Sequence, residues 1–277
     1  MGAGRVVAPT RHALLRRVAR SAPRPPERLL PAMLEIAASL SSSGPSLLPP
    51  AARRVLVLVP HPDDEAIGAG GLMALLAARG ARVDALLATD GEATIGSALP
   101  PEEIARRRRA EFTASVALLG AHVAATLGLA DGALAQHRDE LVEHVHAAIG
   151  RARPDLVLAP WPLDGHPDHR AVAEVAAEAL LLDGWSSGGG ASPALWTYEV
   201  HTPIHAPTHI VDVTDHLEQK RAALEVHLTA AGAFDLTACL GLARWRSLAT
   251  RAGRGAAEAY LEIDPATLLR LSGEVAP

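Results

Sequence analysis

The sequence predicts an α/β protein with a Rossmann-like, mostly parallel sheet and helices on both faces, a three-layer α/β/α arrangement. Three observations predict it. Short apolar runs at Val55–Val59, Val83–Ala88 and Pro154–Pro160 have the length and composition of strands buried on both faces. Helical stretches alternate with them, the pattern of successive βαβ crossovers. Each run stops abruptly at polar residues: His61-Pro-Asp-Asp-Glu65, Thr89-Asp-Gly-Glu92 and Trp161-Pro-Leu-Asp-Gly-His166-Pro-Asp-His169. A parallel sheet gathers such strand ends at one edge, where open α/β folds bind ligands.

In chain order, residues 1–50 read as an N-terminal extension, helical or partly disordered, and residues 51–277 as the main domain. Arg11–Arg20 is a short basic helix candidate ended by Pro23, Pro25 and Pro26. Pro31 suits the first position of a second helix, to Leu40. Ser41–Pro45 and Pro49-Pro50 form a linker. Val55–Val59 is then a strand, because Pro60 and Pro62 cannot donate to a ladder. Ala66–Gly71 leads into a helix over Leu72–Ala78. A long helix over Pro100–Leu119 carries Glu102 and Glu103 in its first turn, as the helix dipole favours, and Gly120 caps it. Val123–Leu129 is apolar, and Leu134–Ala152 is helical. The strand to Pro160 is followed by a helix over Arg170–Leu182 and a Gly/Ser loop from Trp185 to Ser192. Leu195–Val200 and His209–Val213 are β-like. Thr214–Thr229 is a helix with Thr214 as its N-cap. Leu240–Arg251 and the tail carry weaker patterns.

The chain has 277 residues, 49% of them apolar, which suits one large α/β domain with an appendage. No apolar run is long enough to cross a bilayer, and the N-terminal arginines precede no clean signal-peptide core. Net charge is −5, with no basic stripe interleaved with aromatics, so neither nucleic acid nor membrane is the expected partner. Cys239 is the single cysteine. It can form no internal disulfide, in keeping with a reducing, cytoplasmic setting. Oligomeric state is not readable, and a homo-oligomer stays open.

The chemistry rests on His61–Glu65 and His166–His169. Two imidazoles and a carboxylate are a common set for a catalytic zinc ion with one position open to water. A spare carboxylate suits a proton acceptor, and a spare imidazole suits an oxyanion donor or an acid. Other features read more simply. Gly68-Ala-Gly-Gly71 lacks the spacing of a nucleotide-binding loop and reads as close helix packing. His137 and His144 read as a solvated helix face. Among His201, His205 and His209, one approaching a substrate stays open, as does the role of His227. Asp168 and Glu65 read as support for ligands or as caps. Trp161 either stacks on a sugar face or covers the strand end.

His61-Pro-Asp-Asp-Glu65 after an apolar strand and His166-Pro-Asp-His169 further on resemble the two signatures of the PIG-L/LmbE family of zinc-dependent N-deacetylases. Arg108-Arg-Ala-Glu111 with Leu119-Gly120, Leu129-Ala-Asp131-Gly132, and Lys220 through His227 are weaker echoes, so that the resemblance covers roughly residues 54–262. It implies that His61, Asp64 and His169 bind Zn2+, or another divalent transition metal. It further implies Asp63 as general base and His166 as the group that steadies the tetrahedral intermediate and helps the amine depart. Arg108 and Asp131 fall where relatives hold sugar hydroxyls, with the register within Arg106–Arg109 open by one. The tyrosine that some members carry has no counterpart in residues 161–165. The activity implied is removal of an N-acetyl group from a small GlcNAc-containing glycoside. The alternatives are an amidase acting on a non-sugar acylamine or thiol conjugate, and a non-catalytic sugar- or metabolite-binding module.

Overall fold

Strand β1 (Arg54–Val59) is buried beyond its first residue, and its alternation divides the core. Val55, Val57 and Val59 enter one apolar cluster, while Leu56 and Leu58 enter another. Each such side chain contributes about 1.5–3 kcal/mol on burial. The computed structural model describes residues 44–94, 98–186, 192–229 and 235–272. The two proposed N-terminal helices lie outside them.

Around β1 are strands β2 (Arg82–Thr89), β3 (His122–Leu129), β4 (Leu156–Pro160), β5 (Ala194–Tyr198), β6 (His209–Asp212) and β7 (Ala257–Glu262). They form a seven-stranded sheet in the order β3-β2-β1-β4-β5-β7-β6. The first five are mutually parallel, and β7 runs antiparallel to both β5 and β6. Helices α1 (Asp64–Ala78), α2 (Pro101–Leu118), α3 (Arg138–Ala152), α4 (Pro167–Ser186), α5 (Leu217–Glu225), α6 (Leu236–Arg246), α7 (Leu248–Arg251) and α8 (Pro265–Ser272) connect them. One cluster packs α1, α2, α5 and α6 on the face of Val57, and the other packs α3, α4 and α8 on the face of Leu58. This is the predicted three-layer, mostly parallel α/β fold. The strand order reverses between β1 and β4, so their carboxyl ends form the switch-point crevice.

Five features depart from the sequence reading. α1 begins at Asp64 and takes in Gly68, Gly70 and Gly71. A Cβ on Gly68 would lie 2.2 Å from the Tyr198 ring, and one on Gly71 2.6 Å from Val213, so packing against β5 and the end of β6 demands glycine there. α3 starts at Arg138 because the amides of Gly132 and Leu134 turn toward Asp168. Thr214 opens a 3₁₀ turn. Its hydroxyl bonds Ala256 across the sheet, so Thr214 does not cap α5. β7, where the sequence pattern was weak, sits between β5 and β6. Ser46, in the presumed linker, pairs with His209 as a parallel bridge.

Candidate metal centre and active site

The ends of β1 and β4 bring the two signatures together. His61 and Asp64 follow β1, and His169 lies in the first turn of α4 beyond β4. His61 Nδ1 is 3.1 Å from Asp64 Oδ2, His169 Nε2 is 3.2 Å from the same oxygen, and the two nitrogens are 3.2 Å apart. The three atoms form a nearly equilateral triangle. Tetrahedral zinc with bonds of about 2.0–2.1 Å spaces neighbouring donors by about 3.3 Å. The residues therefore fit a divalent ion in both chemistry and spacing. Burial opposes charge on all three, yet they hold one another charged. The charge and hydrogen bond of His169, then those of His61, carry Asp64 well below the usual carboxylate range. Against the same burial, Asp64 and Asp164 lift His169 to about 9. Asp131, Asp168 and Asp64 raise His61 well above its ordinary value.

The surrounding carboxylates already accept backbone amides and so orient the imidazoles. Asp168 accepts from Gly132 and Leu134 at 2.7 and 3.0 Å and lies 3.3 Å from His61 Nε2. Asp131, 3.1 Å from the same nitrogen, accepts from Ala93. Asp164 accepts from His166, His201 and Thr202 at 2.9, 3.0 and 3.0 Å and lies 3.1 Å from His169 Nδ1. These bonds tie the loop after β4 to the loop after β5. Sequence reasoning left Asp164 unassigned, although its place two residues before His166 in a Pro/Gly turn was a signal.

Asp63 sits beside the triangle with φ of 122°, a conformation that costs a non-glycine residue about 1–3 kcal/mol. Its carboxylate is fixed by Arg108, whose Nη2 donates to Asp63 Oδ2 at 2.9 Å and to the Pro62 carbonyl at 2.5 Å. Arg108 Nη1 donates to the Gly91 carbonyl and Thr94 Oγ1. The four terminal N–H bonds of this buried guanidinium thus point into the protein. Burial pushes Asp63 up to about 7, with Asp64 and Glu65 adding to the rise and Arg108 and His227 resisting it. Glu65, fully buried, accepts from the Asp63 amide, from Ser115 and from His227.

His166 is half-buried, its ring centroid 4.6 Å from that of His61. Its Nδ1 accepts the Asp168 amide at 3.2 Å, which leaves the proton on Nε2. Burial and the neighbouring His61 and His169 lower its pKa, so it is neutral at pH 7. His201 stacks on His169 at 5.0 Å and 9°, whereas His209 stacks on Trp196 and His205 is exposed. Trp161 packs partly buried against the α3–α4 side of the core. His144 lies exposed on α3, and His137, partly exposed, is the residue just before it.

Fold and site together define a Rossmann-like α/β protein with a carboxylate–imidazole centre, able to hold a divalent ion, at its switch point. Residues 56–180 match the PIG-L family, GlcNAc-PI de-N-acetylase. The chain is 34% identical over 185 residues to diacetylchitobiose deacetylase of Thermococcus kodakarensis, covering 63% of this chain and 69% of that protein. It belongs to the PIG-L family. It is 31% identical over 193 residues to 1D-myo-inositol 2-acetamido-2-deoxy-alpha-D-glucopyranoside deacetylase of Kineococcus radiotolerans, covering 54% of this chain and 52% of that one. The chain thus spans about half the length of this second relative. The structure of N,N'-diacetylchitobiose deacetylase from Pyrococcus horikoshii superposes with a TM-score of 0.65 at 24% identity, over 94% of this chain and 96% of that one, which shows the shared fold. Among the described residues no helix is long and apolar enough to cross a membrane.

Proposed function

We propose that the protein is a zinc-dependent N-deacetylase that hydrolyses the acetamide of a small GlcNAc-containing glycoside. The observation that carries this reading is the meeting of His61 Nδ1, Asp64 Oδ2 and His169 Nε2 within 3.2 Å of one another. The base candidate Asp63, its carboxylate held by Arg108, stands next to Asp64 in the chain. Relatives named as deacetylases of acetylated amino sugars support the substrate class.

His61, Asp64 and His169 would hold a divalent ion, whose chemistry there would be Lewis-acid polarisation of an acyl oxygen and a lowered pKa for the attacking water. Asp63, its carboxylate aimed by Arg108, takes the proton from that water. Burial raises its pKa above the usual carboxylate range, the direction that suits an acceptor that must later return a proton. His166 presents Nε2–H to the oxygen on which charge develops, and a proton passes to the departing amine. Water adds across the C–N bond, giving acetate and the free amino sugar. Asp131, 3.1 Å from His61 Nε2, and the partly buried Trp161 are the groups we assign to the glycoside. Arg108 acts through Asp63.

The test is acetate release from N,N'-diacetylchitobiose and from 1D-myo-inositol 2-acetamido-2-deoxy-α-D-glucopyranoside, with metal content measured alongside. Asp63→Ala is expected to keep its metal and to lose about 10²–10⁴-fold in kcat. Full activity in purified Asp63→Ala overturns the assignment of the base.

A further inference from the structure

The Pro62–Asp63 peptide is clamped at both of its polar atoms. Its carbonyl accepts Arg108 Nη2 at 2.5 Å, and its N–H donates to Glu65 Oε2 at 3.1 Å. Glu65 is in turn fixed from two other elements. Ser115 of α2 donates to Oε1 at 2.5 Å, and His227, beyond the end of α5, lies 3.1 Å from the same oxygen through Nε2. Both Glu65 and His227 are wholly buried, with side-chain exposures of 0%, so neither reaches a ligand. A positive φ of 122° at an aspartate persists only where surrounding structure over-determines it.

We propose that Glu65 and His227 are positioning residues for Asp63. They hold the strained peptide that aims the base, with His227 fixing Glu65 so that its other carboxylate oxygen faces the Asp63 amide. This deepens the deacetylase reading and rests on it for its kinetic consequence. A buried carboxylate between an amide, a hydroxyl and an imidazole is a costly arrangement, and its geometric product here is the direction of one neighbouring side chain. The sequence separation, 65 against 227, makes the aim of the base depend on the docking of α5.

The experiment uses the full-length, zinc-loaded protein and whichever of the two acetylated glycosides above the wild type hydrolyses. Glu65→Ala and His227→Ala are expected to lower kcat about tenfold to a hundredfold, the scale of a small misplacement of a reacting group, with KM and zinc content unchanged. Glu65→Gln, which keeps an oxygen for the Asp63 amide, is expected to restore most of kcat. Ser115→Ala, the mildest change, is expected to show the same kcat-only loss in smaller measure. Unchanged kcat in the alanine variants overturns the proposal. So does a parallel loss of kcat, KM, zinc and melting temperature that Glu65→Gln does not reverse, which marks a role in folding alone. Should the wild type release acetate from neither glycoside, the deacetylase reading fails by itself. The positioning claim is then read from a crystal structure of Glu65→Ala: it stands if Asp63 leaves the positive-φ region and falls if Asp63 stays there.

Discussion

Arg108 and Asp63 meet at 2.9 Å with side-chain exposures of 6% and 10%. The same guanidinium nitrogen also holds the carbonyl that precedes Asp63. Removing one partner of such a buried pair costs about 3–5 kcal/mol. Arg108→Met is expected to fall in this range by urea denaturation. Losing the positive charge also raises Asp63 further, because Arg108 opposes the effect of burial. The proposed base is then protonated up to higher pH, so the acidic limb of the kcat/KM profile moves to higher pH. A limb that stays in place in Arg108→Met rules out Asp63 as the titrating base.

Metal loading should release protons at neutral pH. In the metal-free fold neighbouring carboxylates lift His169 to about 9 and raise His61 as well, so the pair holds proton charge at pH 7 that an ion must displace, because it binds only neutral imidazole. Apparent zinc affinity is expected to rise with pH and to level off above about 9, with proton release fading over the same range. The sign follows from the raised pKa values: their stabilisation of the metal-free fold is present in acid and lost as pH climbs through them. Calorimetric zinc titration in buffers of different ionisation enthalpy measures the release, and absence of proton uptake by buffer at pH 7 contradicts the charge state.

Asp164 joins two loops and His169, a proposed metal ligand. Asp164→Ala removes the acceptor of the His166, His201 and Thr202 amides and the carboxylate beside His169 Nδ1. Losing a partner behind a metal ligand lowers metal affinity about 10–100-fold. Competition with a chromogenic chelator reads that change directly, and wild-type affinity in Asp164→Ala would show that His169 needs no such support.

Gly68 tests packing against propensity. Gly→Ala within a helix is ordinarily favourable by about 1 kcal/mol. Here the new methyl lies 2.2 Å from the Tyr198 ring and 2.6 Å from the Glu199 carbonyl, an overpacking that costs about 1–3 kcal/mol. Gly68→Ala is expected to lower the denaturation midpoint. Gly150→Ala, where nothing lies within 4 Å of the added methyl, is expected to leave it level or raise it. Equal behaviour of the two would mean that α1 can move away from β5.

The parallel core and the placement of His61–Glu65 and His166–His169 were legible because apolar runs and strand-ending prolines are local signals. What the sequence hid is non-local. β7 alternates too weakly to stand out, since it is buried on both faces between β5 and β6. The supporting roles of Asp164, Ser115 and His227 exist only once separate loops meet. Ser115 lies seven positions after Arg108 on α2 and so shares its face, a hint visible only once Arg108 is known to point inward. The same holds for Arg108 itself: a basic run reads as surface, and burial of one member depends on Gly91 leaving room for its guanidinium.

Lys220 and Glu258 give the fold a wider consequence. The lysine donates to the Ile67 carbonyl at 2.7 Å and to Glu258 at 2.6 Å, and Glu258 accepts the amides of Gly71 and Leu72 at 2.8 Å each. Two residues from the last quarter of the polypeptide therefore stitch the middle of α1, immediately behind the strand end that carries His61. A fragment limited to residues 56–180, the stretch matched to the family, would leave those main-chain atoms bare within an apolar setting and lose the hydroxyl clasp of Tyr198 on Leu58. The locking of α1 therefore waits on residues as late in the chain as Lys220 and Glu258.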